Sequence, residues 1–142
     1  MAFVGRTLKF TRIDDLLLIV HSPVDPDPEE WNALMVESRA IVHPYRRCLV
    51  YSADVKLRAK QRSQLADVVN GLDLKVAVLA DSAVTRGMVT ALGWVTGKYR
   101  AFPLEGIEAA VTYLGGNLDP AKVRAEIQTL QRTFSSGKSA TG

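Results

Sequence analysis

Three aliphatic runs, Leu16 to Val20, Cys48 to Tyr51 and Val76 to Ala80, are each followed by a stretch of helical length, and this alternation restricts the fold more than any other feature of the chain. A strand without polar alternation must be covered on both faces, and a helix after each run supplies the cover. The pattern predicts a small α/β domain with helices packed on a mixed, mostly parallel sheet. With 142 residues, 47% of them hydrophobic and 23% charged, the chain has material for one core of ordinary size.

Phe3 to Ile13 alternates apolar and polar residues in part, which predicts a half-exposed strand at the sheet edge. The Asp14-Asp15 link that follows is too short to join anything but antiparallel neighbours. A first helix is announced by Asp27 as N-cap, Pro28 at the first helical position and Glu30 placed to complete a capping box. Trp31, Leu34, Met35, Ser38, Ile41 and Val42 then share one face, and His43-Pro44 ends the helix. A second helix is expected from about Val55 to Leu72, with Lys56, Arg58, Lys60 and Arg62 near its start and Gly71 near its end. Asp81 and Ser82 are both competent N-caps for a third, and Tyr99 to Phe102 is a last short strand. Leu104 to Leu114 forms a fourth helix closed by Gly115-Gly116, so the α/β domain occupies residues 1–116. Residues 117–134 form a further helix opened by Asp119-Pro120. Its narrow stripe of Val123, Ile127, Leu130 and Phe134 either docks on the domain or makes a homodimer interface. The small polar tail 135–142 is expected to be disordered.

The formal net charge of +3 is spread along the chain, which favours solubility and no dedicated nucleic-acid partner. Lys56, Arg58, Lys60 and Arg62 carry no interleaved aromatics and read as a solvated face. A lone cysteine, Cys48, within an apolar strand points to a reduced compartment. Met1 to Arg6 lacks the pattern of a leader, and no apolar stretch approaches the roughly 18 residues a membrane span needs, so a cytoplasmic protein without a span is expected. His21, His43 and Cys48 are widely separated and lack ligand spacing, which predicts no metal site and no catalytic set. Gly-rich phosphate loops and Gly-x-Ser-x-Gly elbows are absent, so no cofactor and no enzymatic activity are expected. The best polar constellation falls at the carboxyl ends of the strands, where open α/β sheets bind ligands: His21-Ser22, Ser52 with Asp54, and Asp81-Ser82 with Arg86. The plainer assignment makes Ser52 a turn serine and Asp81-Ser82 a helix cap.

The element order strand, strand, helix, strand, helix, strand, helix, short strand, helix resembles that of the STAS and SpoIIAA-like domains. The resemblance spans roughly Phe3 to Leu114 and is carried by Leu16 to His21, by Arg47 to Asp54, and by Val76 to Ser82 with Arg86 to Leu92. The last block is similar to stand-alone bacterial members of the STAS/SEC14-like group. In phospho-regulated members a serine ends the central strand within an Asp-Ser-Ser/Thr-Gly type motif. The matching segment here is Tyr51-Ser52-Ala53-Asp54-Val55-Lys56, which lacks that motif and offers Ser52 as the switch residue. The resemblance implies a non-enzymatic regulatory module, active in bacterial signalling, that binds a protein partner through Ser22, Asp54, Lys56, Asp81, Ser82 and Arg86. Its SEC14-like relatives imply the alternative of a small apolar or lipid ligand, held among Met35, Met88, Trp94 and Phe102.

Overall fold

A computed structural model describes residues 3–40, 42–52 and 57–141, with the backbone alone for 88, 91–96 and 135–141. Six strands form one sheet in the order β1-β2-β3-β4-β5-β6, the order in which they occur along the chain. They are β1 (Phe3–Val4), β2 (Leu8–Ile13), β3 (Leu16–His21), β4 (Arg47–Tyr51), β5 (Lys75–Leu79) and β6 (Tyr99–Phe102). β1, β2 and β3 pair antiparallel, and β3 to β6 pair parallel. The Asp14-Asp15 link makes the expected tight hairpin, with Ile13 opposite Leu16 and Asp14 at φ 54°, a left-handed conformation that aspartate tolerates.

The helices α1 (Pro28–Ser38), α2 (Ala59–Leu72) and α3 (Ala83–Thr96) cross between neighbouring parallel strands. Each crossover steps one strand in the same direction, and crossovers of one hand then fall on one face of the sheet. Trp31, Leu34 and Met35 of α1, Val68 and Val69 of α2 and Val89 of α3 accordingly share a core with Leu17, Ile19, Cys48, Val76 and Val78. The opposite face is covered by α4 (Ile107–Leu114) and α5 (Pro120–Thr141), whose Ile107, Val111, Leu114, Val123, Ile127 and Leu130 pack on Leu16, Leu18, Val20, Leu49 and Leu79. All six residues of β3 are buried, which is why its sequence carries no polar alternation.

Four expectations are corrected. First, the Phe3 to Ile13 segment is two strands: β1 forms the antiparallel N-terminal edge, and β2 lies inside it, with Lys9 and Thr11 buried and the Lys9 ammonium bonded to Leu130 O of α5. Second, α1 ends at Ser38, and Val42 is 83% exposed, while Ile41 lies outside the described residues. Tyr45 fills the core past the helix end, with its hydroxyl donating to Glu37. Third, α2 begins four residues late. Arg58 is its N-cap, with its N–H on Gln61 Oε1 at 2.9 Å, and Asp73, in the left-handed region, closes it two residues past Gly71. Fourth, α5 continues past Phe134 through Thr141, into the tail for which the sequence predicts no order. Of the two readings of its stripe the structure has the docked one, with Val123, Ile127 and Leu130 buried within this chain's own core.

Candidate functional site

The carboxyl ends of β3, β4 and β5 carry most of the residues marked by the sequence, and the structure ties several of them to backbone. Ser22 is buried, and its N–H and Oγ both donate to Thr7 O, at 3.0 and 3.2 Å. Thr7 belongs to a clamp centred on Glu30, whose Oε1 accepts from Thr7 N–H (2.8 Å), Thr7 Oγ1 (2.8 Å) and Leu8 N–H (3.2 Å). Glu30 Oε2 accepts from Arg6 N–H at 3.0 Å, and Thr7 Oγ1 accepts from Asp27 N–H at 2.9 Å. The Glu30 carboxylate therefore does not close a capping box. Asp27 caps α1 alone, accepting from Glu29 and Glu30 N–H, while Glu30 fastens the β1–β2 loop to α1. Burial alone would raise the Glu30 carboxyl, but the bonds from Thr7, Arg6 and Leu8 outweigh it and hold the group below its usual range.

Ser52 is 7% exposed, and its N–H extends the β4–β5 ladder to Leu79 O at 2.9 Å. It directly follows β4, and residues 53–58 lie between it and the first turn of α2. Asp54 and Lys56 lie outside the described residues. Asp81 is exposed. Ser82 caps α3, its Oγ accepting from Thr85 N–H at 3.4 Å. Arg86 folds back so that one Nη donates to Ala80 O and Asp81 O, at 3.2 and 3.1 Å, covering carbonyls at the end of β5.

His21 and Ser52 each lie one residue past the Val20–Tyr51 pair, side by side on neighbouring strands. His21 is buried, and its Nδ1 has no hydrogen-bond partner among the described residues. Burial pushes its pKa down to about 4, so the ring is neutral at pH 7. A Ser-His-Asp set needs a carboxylate on that nitrogen to orient the ring and stabilise its protonated form. Burial likewise pushes the Cys48 thiol up to about 12, which keeps it protonated. Cys48 pairs with Leu17, four residues back from His21 and hence about 13 Å away along the strand. Exposed His43 lies just before β4, at the opposite edge. Met35 and Phe102 belong to cores on opposite faces of the sheet and so do not line one pocket, while the side chains of Met88 and Trp94 lie outside those described. Among the described residues, no cluster of three or more metal-ligating side chains is found, and no helix is long and apolar enough to cross a membrane.

A cleft of about 440 Å³ opens at the other edge, where β4 and β5 begin. Arg46, Arg47, Lys75 and Asp73 line it, between Leu72 at the end of α2 and Leu114 at the end of α4. Sequence reasoning passed over it because nothing local links Arg46-Arg47 to Lys75 or Leu114. No protein-family model, curated protein or solved structure matches the chain.

Proposed function

We propose that this chain is a non-enzymatic, STAS-like regulatory module that acts by binding a protein partner at the carboxyl edge of its sheet. The observation that carries this reading is the strand order. Ligand crevices in open α/β sheets form where the order reverses and successive loops part to opposite faces. Here the order runs without reversal from β1 to β6. Ser22, Ser82 and Arg86 bond to backbone in their own neighbourhood, which favours a firm surface over a reactive cavity. That edge leaves Asp81 exposed, together with Val24 at 54% and Val84 at 74%. Its partner would set apolar side chains against the valines and a cation against Asp81. The element order that carries the STAS resemblance recurs in the fold, with one short strand, β1, added ahead of it.

A photo-crosslinking residue placed at position 84 tests the proposal in the source cell, with the same residue at Val36, exposed on α1, as control. One stoichiometric adduct is expected from position 84, and it should be lost on Asp81→Arg. No adduct at 84, or an equal yield from position 36, would overturn the reading.

A further inference from the structure

The geometry points to a binding site for the phosphate group of a small phosphomonoester in the cleft between Arg46, Arg47 and Lys75, at the edge opposite the proposed protein-binding surface. The three cations are placed by the backbone. Arg47 pairs with Lys75 across the β4–β5 ladder, and Lys75 N–H donates to Arg46 O at 3.2 Å. The Arg47 guanidinium is held from three sides. Its Nε donates to Leu114 O at 2.8 Å, one Nη pairs with Asp15, and Gly116, at φ 73°, lies so close that a Cβ there would fall 2.8 Å from Arg47 Cζ. A guanidinium fixed in this way loses little freedom when an anion meets its remaining Nη.

Charge on the cleft is unbalanced. Asp73 is the one acid among its lining residues, and its carboxylate is paired with Lys98 at 3.1 Å, just as Asp15 is paired with Arg47. Counting those two outside partners as well leaves an excess of two positive charges. Cations gather at helix carboxyl ends to offset the dipole, and Arg47 does so for α4. Arg46, by contrast, makes no side-chain hydrogen bond or ion pair among the described residues. Among the described residues the Lys75 side chain makes only a ring contact, its ammonium 4.6 Å from the centre of Tyr113. Two exposed donors beside one fixed guanidinium match a tetrahedral dianion. The volume falls within the roughly 300–1,000 Å³ of small-ligand sites, and Leu72 and Leu114 offer apolar walls to the organic part of an ester.

The test is an amide-resolved NMR titration of the full chain at constant ionic strength, with phenyl phosphate and, separately, inorganic phosphate. Phenyl phosphate is expected to saturate with shifts confined to residues 45–47, 72–75 and 114–116, and inorganic phosphate to give the same pattern at lower affinity. The double variant Arg46→Ser, Lys75→Ser should lose at least tenfold in affinity while its melting temperature stays near that of the parent. If the double variant melts early, Arg46→Ser alone should still weaken binding at least threefold. Undiminished affinity in these variants, or shifts that sodium chloride reproduces, would overturn the site. Equal affinity for the two probes would overturn the phosphomonoester and leave free phosphate as the ligand.

Discussion

Replacing Glu30 by alanine removes four hydrogen bonds to one carboxylate, three of them from backbone N–H groups of Arg6, Thr7 and Leu8. Hydrogen bonds to a charged group contribute about 1.5–3 kcal/mol each when wholly protected from water. The Arg6 bond is exposed and those of Thr7 and Leu8 are part-buried, so water recovers much of each. A net loss of about 3 kcal/mol follows, which for a chain of this length lowers the melting temperature by roughly 10 °C. Glu29→Ala is the control. It removes an exposed first-turn carboxylate with only a helix-dipole role and should cost about 0.5 kcal/mol. Urea unfolding of both variants at pH 7 measures the difference. The pH dependence supplies a second check on the same bonds. Because the folded carboxyl sits below its ordinary value of 4.5, its stabilisation is present above that value and disappears as pH falls through the folded pKa. The parent and Glu30→Gln should therefore converge in strong acid. If Glu30→Ala unfolds within 0.5 kcal/mol of Glu29→Ala, the clamp is ornamental and the argument from its geometry fails.

His21 supplies a separate acid limb. Its folded pKa near 4 lies below the ordinary 6.5, so the unfolded chain takes up the proton first, and about 3 kcal/mol of stability is lost as pH falls from 6.5 to 4. Chemical denaturation across that window should show the loss in the parent and a flatter profile in His21→Gln; equal slopes would refute it. Ser52→Asp places a charge on a buried position and should lower stability by at least 2 kcal/mol, whereas a melting point within 1 °C of the parent would mean that the site opens freely. At Lys9, the ammonium donates to Leu130 O at 3.2 Å and to Thr133 and lies 3.8 Å from the Phe134 ring centre, while burial lowers its pKa. Since an apolar residue of similar shape offsets the lost bonds by removing the desolvation cost, Lys9→Met should shift thermal stability by less than about 1 kcal/mol; a loss above 3 kcal/mol would show that the bonds dominate.

The elements that were legible in the chain are those whose cause is local. β3 is apolar throughout because both of its faces are covered, and Asp27-Pro28 carries its helix start in adjacent residues. What escaped depends on residues far apart. Lys9 and Arg12 read as polar positions of a half-exposed strand until α5, more than a hundred residues later, meets Lys9, and Arg12 is set 3.9 Å from the Tyr45 ring centre. Helical periodicity carried α1 on through Ile41 and Val42, whereas Tyr45, seven residues past the point where α1 stops, fills the core there. Glu30 has capping-box spacing from Asp27, yet its carboxylate meets a loop 22 to 24 residues earlier. A local rule competed with a distant set of donors, and the distant set won because it offered three N–H groups in place of one.

The same distinction explains why the carboxyl-edge residues were identifiable and their use was not. Ser22, Ser52, Asp81, Ser82 and Arg86 sit where strand ends place them, which alternation along the chain determines. Whether such an edge opens into a crevice depends on strand order, which no single segment encodes. A reversal would have split α1, α2 and α3 between the two faces and parted the loops above them. The sequential order instead keeps these helices on one side, and the polar groups of the edge turn inward to close it: Ser22 on Thr7, Ser82 on Thr85 and Arg86 on the Ala80 and Asp81 carbonyls just past β5. At the other edge the strands begin with Arg47 and Lys75, whose paired positions hold two cations side by side. The α4 carbonyl and Asp15 engage one of these cations and leave Arg46 and Lys75 facing the cleft. The two proposed modes of recognition thus divide by edge, flat contact where the strands end and charge-selective contact where they begin.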